Sequence, residues 1–120
     1  MAVLNPVEVV VMYKRVETWP DDADGEVLRL LAESGFDFSA EVPIEFNVDV
    51  EEWPPEEALL AELRKHYDDV ECVEADDGDR FVQFVVTGRV SYELVTSVQR
   101  AATELAAPFG GWCDSWAANA

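Results

Sequence analysis

Residues 41–50 alternate without a break: Ile44, Phe46, Val48 and Val50 fall on one side of an extended chain, and Glu45, Asn47 and Asp49 on the other. Successive side chains of a β-strand point to opposite faces, so this segment has one dry face and one wet face. Such a strand belongs in a sheet covered on one side only, which an antiparallel α+β layer provides and a parallel sheet buried on both faces does not.

The rest of the chain repeats the strand and helix periods in turn. Trp53-Pro54-Pro55 ends the strand, and Pro55 suits the first turn of a helix carrying Leu59, Leu60, Leu63 and Tyr67 at helical spacing. Residues 70–73 read as a short strand, Asp76-Asp77-Gly78-Asp79 as a hairpin turn, and residues 81–87 as its returning strand. Ser91 caps a further helix with Leu94, Val95, Val98, Ala102 and Leu105 on one face. That helix closes on Pro108, after which Gly110-Gly111 permits a left-handed or sterically demanding turn. Trp112-Cys113-Asp114-Ser115-Trp116 then returns to the period of two.

From Pro43 onward the order is βαββαβ, which predicts a ferredoxin-like α+β core over residues 43–118: a four-stranded antiparallel sheet with two helices on one face. In the 4-1-3-2 strand order of that fold Cys72 and Cys113 occupy opposite edges, too far apart for a disulfide. Residues 1–40 form an extension to this core. In it, residues 7–13 are a β-branched run suited to an extra strand, and a short helix follows, capped near Asp22-Ala23-Asp24-Gly25-Glu26 and stopped at Gly35. At 120 residues the chain reads as one domain, with thirteen aromatic residues to fill its core.

Three local patterns carry a family resemblance: Trp19-Pro20-Asp21-Asp22 opening a helix, Ser34-Gly35-Phe36-Asp37 closing it, and the tail Gly110-Gly111-Trp112-Cys113-Asp114-Ser115-Trp116. From about Trp19 onward the chain resembles the regulator of ribonuclease E activity B (RraB) family, in which a Gly-Gly-x-x-Asp-Gly-Trp-like tail ends an α+β domain. Asp114 and Trp116 keep that motif, while Cys113 replaces an aromatic residue and Ser115 and Ala117 replace glycines. The resemblance implies a non-enzymatic protein that binds an endoribonuclease and lowers its activity.

Charge points the same way by a separate route. Twenty-six acidic against eight basic side chains leave a net charge of −18, a field that repels phosphate backbones and attracts basic protein segments. Direct nucleic-acid binding is therefore not expected, and a ribonuclease or other basic protein segment is the expected partner. The carboxylates are spread from Glu8 to Asp114, which suits either a solvated skin adapted to a saline cytosol or a surface shaped for a basic ligand. No apolar run reaches a membrane span and no secretory leader is evident, so the expected location is the cytoplasm.

No catalytic, cofactor or metal constellation is read from the residues. Asp22, Asp24 and Gly25 match part of a calcium loop, but Pro20 and Leu31 occupy its first and twelfth positions, and helix capping explains the run. His66 is the only histidine and falls near a helix C-terminus. The acidic pairs Glu51-Glu52 and Glu56-Glu57 are adjacent residues that do not face each other on a helix. Gly110-Gly111 precedes a strand, unlike a phosphate-binding loop.

The residues singled out for partner binding are Gly110, Gly111, Trp112, Asp114 and Trp116. If the last strand alternates, Trp112, Asp114 and Trp116 share one face, and a carboxylate between two indoles suits an arginine or a peptide backbone. The competing reading has the tryptophans packing the sheet against the N-terminal helix while Asp114 bonds the glycine turn. Two alternatives from other classes stand beside the regulator: a small carboxylate-dependent enzyme, and an acidic nucleic-acid-mimicking inhibitor of immunity type. A convergent carboxylate pocket with shifted pKa values favours the enzyme, and a flat acidic patch favours binding.

Overall fold

The helix expected after Trp19 spans Ala23–Glu33 (α1) in the computed structural model, which describes residues 19–119. The extra strand expected at residues 7–13 lies outside the described residues. Asp22 starts α1 as its N-cap, its Oδ1 accepting from the Gly25 N–H at 2.8 Å. Gly25 is required there by crowding: a Cβ would come within 1.9 Å of the Pro20 carbonyl oxygen. The Arg29 guanidinium reaches back to the carbonyls of Trp19 and Pro20, each at 3.4 Å, tying the entry segment to the helix. The helix stops in a Schellman turn, with Gly35 at φ +86°, the Gly35 N–H on Ala32 O and the Phe36 N–H on Leu31 O. Leu28 and Phe36 are buried, whereas Leu30, one of the apolar residues of the helical pattern, is 55% exposed.

The described chain divides into two compact units, residues 19–37 with α1 and residues 38–119 with the sheet. In the second, strands Glu41–Val50 (β1), Asp68–Glu74 (β2), Arg80–Arg89 (β3) and Gly111–Ala118 (β4) form one antiparallel sheet in the order β2-β3-β1-β4. Read from the other edge this order is 4-1-3-2. The helices Glu57–His66 (α2) and Tyr92–Ala106 (α3) touch each other, α2 lying toward β2 and α3 toward β4.

Why one face is dry follows from the register. Ile44, Phe46 and Val48 of β1 lie opposite Val86, Phe84 and Val82 of β3, and all of these but Val86 are fully buried. Leu59 and Leu63 of α2 and Val95 and Ala102 of α3 are likewise wholly removed from water. Burying each such side chain contributes roughly 1.5–3 kcal/mol for the larger aliphatics and Phe. An aromatic row crosses this face: Tyr67 stacks on Phe84 at 3.9 Å, Phe84 on Phe46 at 5.4 Å, and Phe46 lies opposite Trp116 in the ladder. Burial pushes the Tyr67 phenol above its ordinary pKa, with the nearby Cys113 adding to the shift.

Some boundaries differ from the sequence reading. The second helix begins at Glu57, two residues beyond Pro55, because Glu56 stays extended as the N-cap and the buried Pro55 packs ahead of the helix. The hairpin strands are longer than expected, since pairing continues into the charged residues Asp68, Glu74, Arg80 and Arg89. The third helix is capped as read, the Ser91 hydroxyl accepting from the Leu94 N–H at 3.0 Å, and Pro108 sits in a terminal 3-10 turn, Ala107–Phe109. Cys72 and Cys113 are on β2 and β4, separated by two strands.

Candidate functional site

The glycine pair does two different jobs at the entry to β4. Gly110 adopts φ +75°, a left-handed conformation, and closes the helix end through its N–H on Ala107 O. Gly111 has a negative φ but no room, since a Cβ would lie 3.0 Å from Ala106 Cβ and 3.1 Å from Asp49 O. Thr103 of α3 then holds β4 in place: its hydroxyl accepts from the Cys113 N–H at 2.9 Å and donates to the Cys113 carbonyl at 3.3 Å.

The expected alternation along Trp112, Asp114 and Trp116 does not hold. Asn47 pairs with Ser115, but the next residue of β1, Val48, pairs with Cys113, so Asp114 is an extra residue with no partner of its own. This β-bulge turns Asp114 and Ser115 outward together and reverses the phase beyond them. Trp112 consequently stands 40% exposed on the wet face while Trp116, 6% exposed, joins the aromatic row on the dry one. Trp116 is a core residue, and Trp112 and Asp114 remain together on the open side.

The bulge aims Asp114 at Asp49 on β1. The two carboxyl groups share a hydrogen bond, and the Asp49 carboxyl is held above the ordinary carboxylate range, first by partial burial, then by repulsion from Asp114 and their hydrogen bond, and last by Asp79. Beside them a polar ladder crosses three strands: Gln83 Nε2 donates to Asn47 Oδ1 at 3.1 Å, and Asn47 Nδ2 donates to Ser115 Oγ at 3.1 Å. Asn47, Asp49, Asp79, Arg80, Phe81 and Ser115 line a concavity of about 330 Å³. At its rim the Arg80 guanidinium lies 5.7 Å over the Trp53 ring, whose Nε1 donates to Glu74 Oε2 at 3.2 Å.

This arrangement presents a convergent acidic face with aromatic neighbours. The ion pairs among the described residues are those of Arg29 and Lys65, so no described lysine or arginine forms an ion pair with Asp49 or Asp114. No three His, Cys, Asp or Glu side chains among the described residues are grouped to hold a metal ion. Asp22 acts as a helix cap, and His66 is exposed at the end of α2. Sequence reasoning named Trp112 and Asp114 but missed Asp49, Asn47, Asp79 and Ser115 as their neighbours. The wet side of β1 was legible, yet which residue of β4 lies beside it depends on the bulge.

Among the described residues no helix is long and apolar enough to cross a membrane. No curated protein matches the chain. Over residues 21–117, which include both capped ends of α1, the whole sheet-forming region to Ala117 and the glycine turn, the chain matches the family described as regulator of ribonuclease activity B, and it belongs to that family.

Proposed function

We propose that this chain is a non-catalytic acidic regulator, built on a ferredoxin-like core, that binds a basic segment of a ribonuclease or of a protein working with one. The observation that carries the binding reading is Trp112, exposed beside the Asp49 and Asp114 carboxyls on the face turned away from α2 and α3. Charge steers the encounter, and an aromatic residue shielded from water on docking supplies the anchor. Family membership supports regulation of a ribonuclease as the outcome, and the −18 charge supports a protein rather than RNA as the ligand.

Affinity capture from the native lysate, read by mass spectrometry, tests this. A ribonuclease is expected among the proteins retained. Trp112→Ala is expected to weaken capture by roughly 30-fold or more, the equivalent of a ~2 kcal/mol anchor. Glu57→Gln, on the exposed start of α2, is expected to leave it unchanged. Equal losses from every acidic-to-neutral change, with none from Trp112→Ala, would point to charge mimicry of a nucleic acid.

A second reading has one observation in its favour. The paired Asp49 and Asp114 carboxyls beside a concavity are the feature expected of a small carboxylate-dependent enzyme. The first reading is preferred because Asp114, Ser115, Asp79 and Arg80 are all exposed, leaving water free access and no enclosed environment to strengthen charge effects. Turnover of a small molecule that is lost in Asp49→Asn would reverse that preference.

A further inference from the structure

The two edges of the sheet are finished differently. Hydrogen-bonded and non-bonded pairs alternate along an antiparallel ladder, and residues of the non-bonded pairs turn their N–H and C=O away from the partner strand. At the β4 edge, the Glu51 N–H bonds Gly110 O, so Val48↔Cys113 is a non-bonded pair and Cys113 faces outward. Both of its outward groups are taken by the Thr103 hydroxyl. At the β2 edge, the Ala75 N–H bonds Asp79 O at 2.8 Å, and counting back makes Glu74↔Arg80 and Cys72↔Val82 the non-bonded pairs. The backbone groups of Cys72 and Glu74 therefore face outward, and no bond from the described residues reaches them. Both residues are exposed.

We infer that the β2 edge over residues 71–74 accepts an extended, basic segment of a partner protein as an added strand. Open strand edges bind extended peptides through main-chain hydrogen bonds, with alternate side chains setting specificity. Charge chooses the occupant: seven of the twelve residues from 68 to 79 are Asp or Glu and none is Lys or Arg. A second copy of this chain would set those carboxylates against themselves, and like charges directly opposite across strands are destabilising. An added strand with Lys or Arg beside Glu71 and Glu74 and an apolar residue beside Val73 meets complementary neighbours, since Val73 lies opposite Phe81 on the open face. The irregular register between Asp68 and Glu71, with Asp69 at φ +51°, ends the usable edge and keeps the segment short. The inference rests on the reading of the chain as a binder of basic segments. It adds where the backbone of such a segment is held, independently of Trp112.

The test uses the full chain and a blocked Arg-Val-Thr-Arg peptide, which antiparallel to β2 sets Arg beside Glu74 and Glu71 and Val beside Val73, at low salt. Binding is expected to slow amide hydrogen exchange at Cys72 and Glu74 at least tenfold. Cys72→Pro removes an outward N–H that no ladder bond uses, a position where an edge strand tolerates proline, and is expected to lower affinity tenfold or more. The same peptide N-methylated at alternate residues is expected to lose as much on the unmodified protein, which keeps the test valid if Cys72→Pro does not fold. Undiminished binding of the N-methylated peptide, or protection confined to residues outside 71–74, would overturn the edge proposal while leaving the acidic-binder reading intact. Pairing on β2 with no ribonuclease captured from lysate would do the reverse.

Discussion

At the scale of single residues, Asp49 gives the sharpest expectation. Its folded pKa lies above the ordinary 3.8, so the folded state takes up the proton first and this group's contribution becomes less favourable as pH rises through the folded value. Above that value the ionised carboxylate opposes folding; below 3.8 both states are protonated and the effect is gone. Asp49→Asn should therefore raise the urea midpoint at neutral pH, with the gain fading on acidification. Asp114→Asn should lower the Asp49 pKa, because its repulsion and shared hydrogen bond both raise it, and carboxyl NMR titration would read the shift. Gly25 carries the opposite kind of constraint. Gly25→Ala places a methyl group against the Pro20 carbonyl, and the forced shift should cost about 1–3 kcal/mol in the stability of α1, visible as faster hydrogen exchange there.

At the scale of elements, Thr103 is the joint between α3 and β4. Thr103→Val keeps the shape but strips both partners from the Cys113 backbone, and should cost about 1–3 kcal/mol by urea unfolding, whereas Thr103→Ser should retain most of the stability. That joint was invisible in the sequence, because Thr103 is one polar residue on a helix whose apolar stripe announced only that something would be covered. The strand β1 was legible to its last residue, since alternation over ten positions admits a single pairing face. The caps of α1 and α3 were legible too, as Asp22 and Ser91 are residue types whose short side chains fit that role. The phase of β4 was not. A bulge leaves no mark when the extra residue is Asp114 between Cys113 and Ser115, so simple alternation put Trp112 and Trp116 on the same face. Deleting Asp114 should leave a regular strand with Trp116 still inward, and circular dichroism should show the variant folded.

At the scale of the whole molecule, the −18 charge sets the dominant long-range term. Mutual repulsion is strongest where the Debye length is long, so the melting midpoint is expected to rise between dilute buffer and molar salt as screening shortens it to about 3 Å. A flat midpoint across that series would assign the carboxylate excess to partner recognition instead of a saline interior. The same field acts on every small ion that approaches the protein, and the bulge in β4 turns this into an optical property. Trp112 stands in water and Trp116 does not, so with Trp19 and Trp53 replaced by Phe the two remaining indoles emit from separate environments on one strand. Caesium, drawn in by the carboxylates, should quench the redder Trp112 band efficiently, iodide should scarcely reach it, and neither should touch Trp116. One strand thus carries its own pair of dyes, one reporting what arrives at the open face and the other whether the core beneath has noticed.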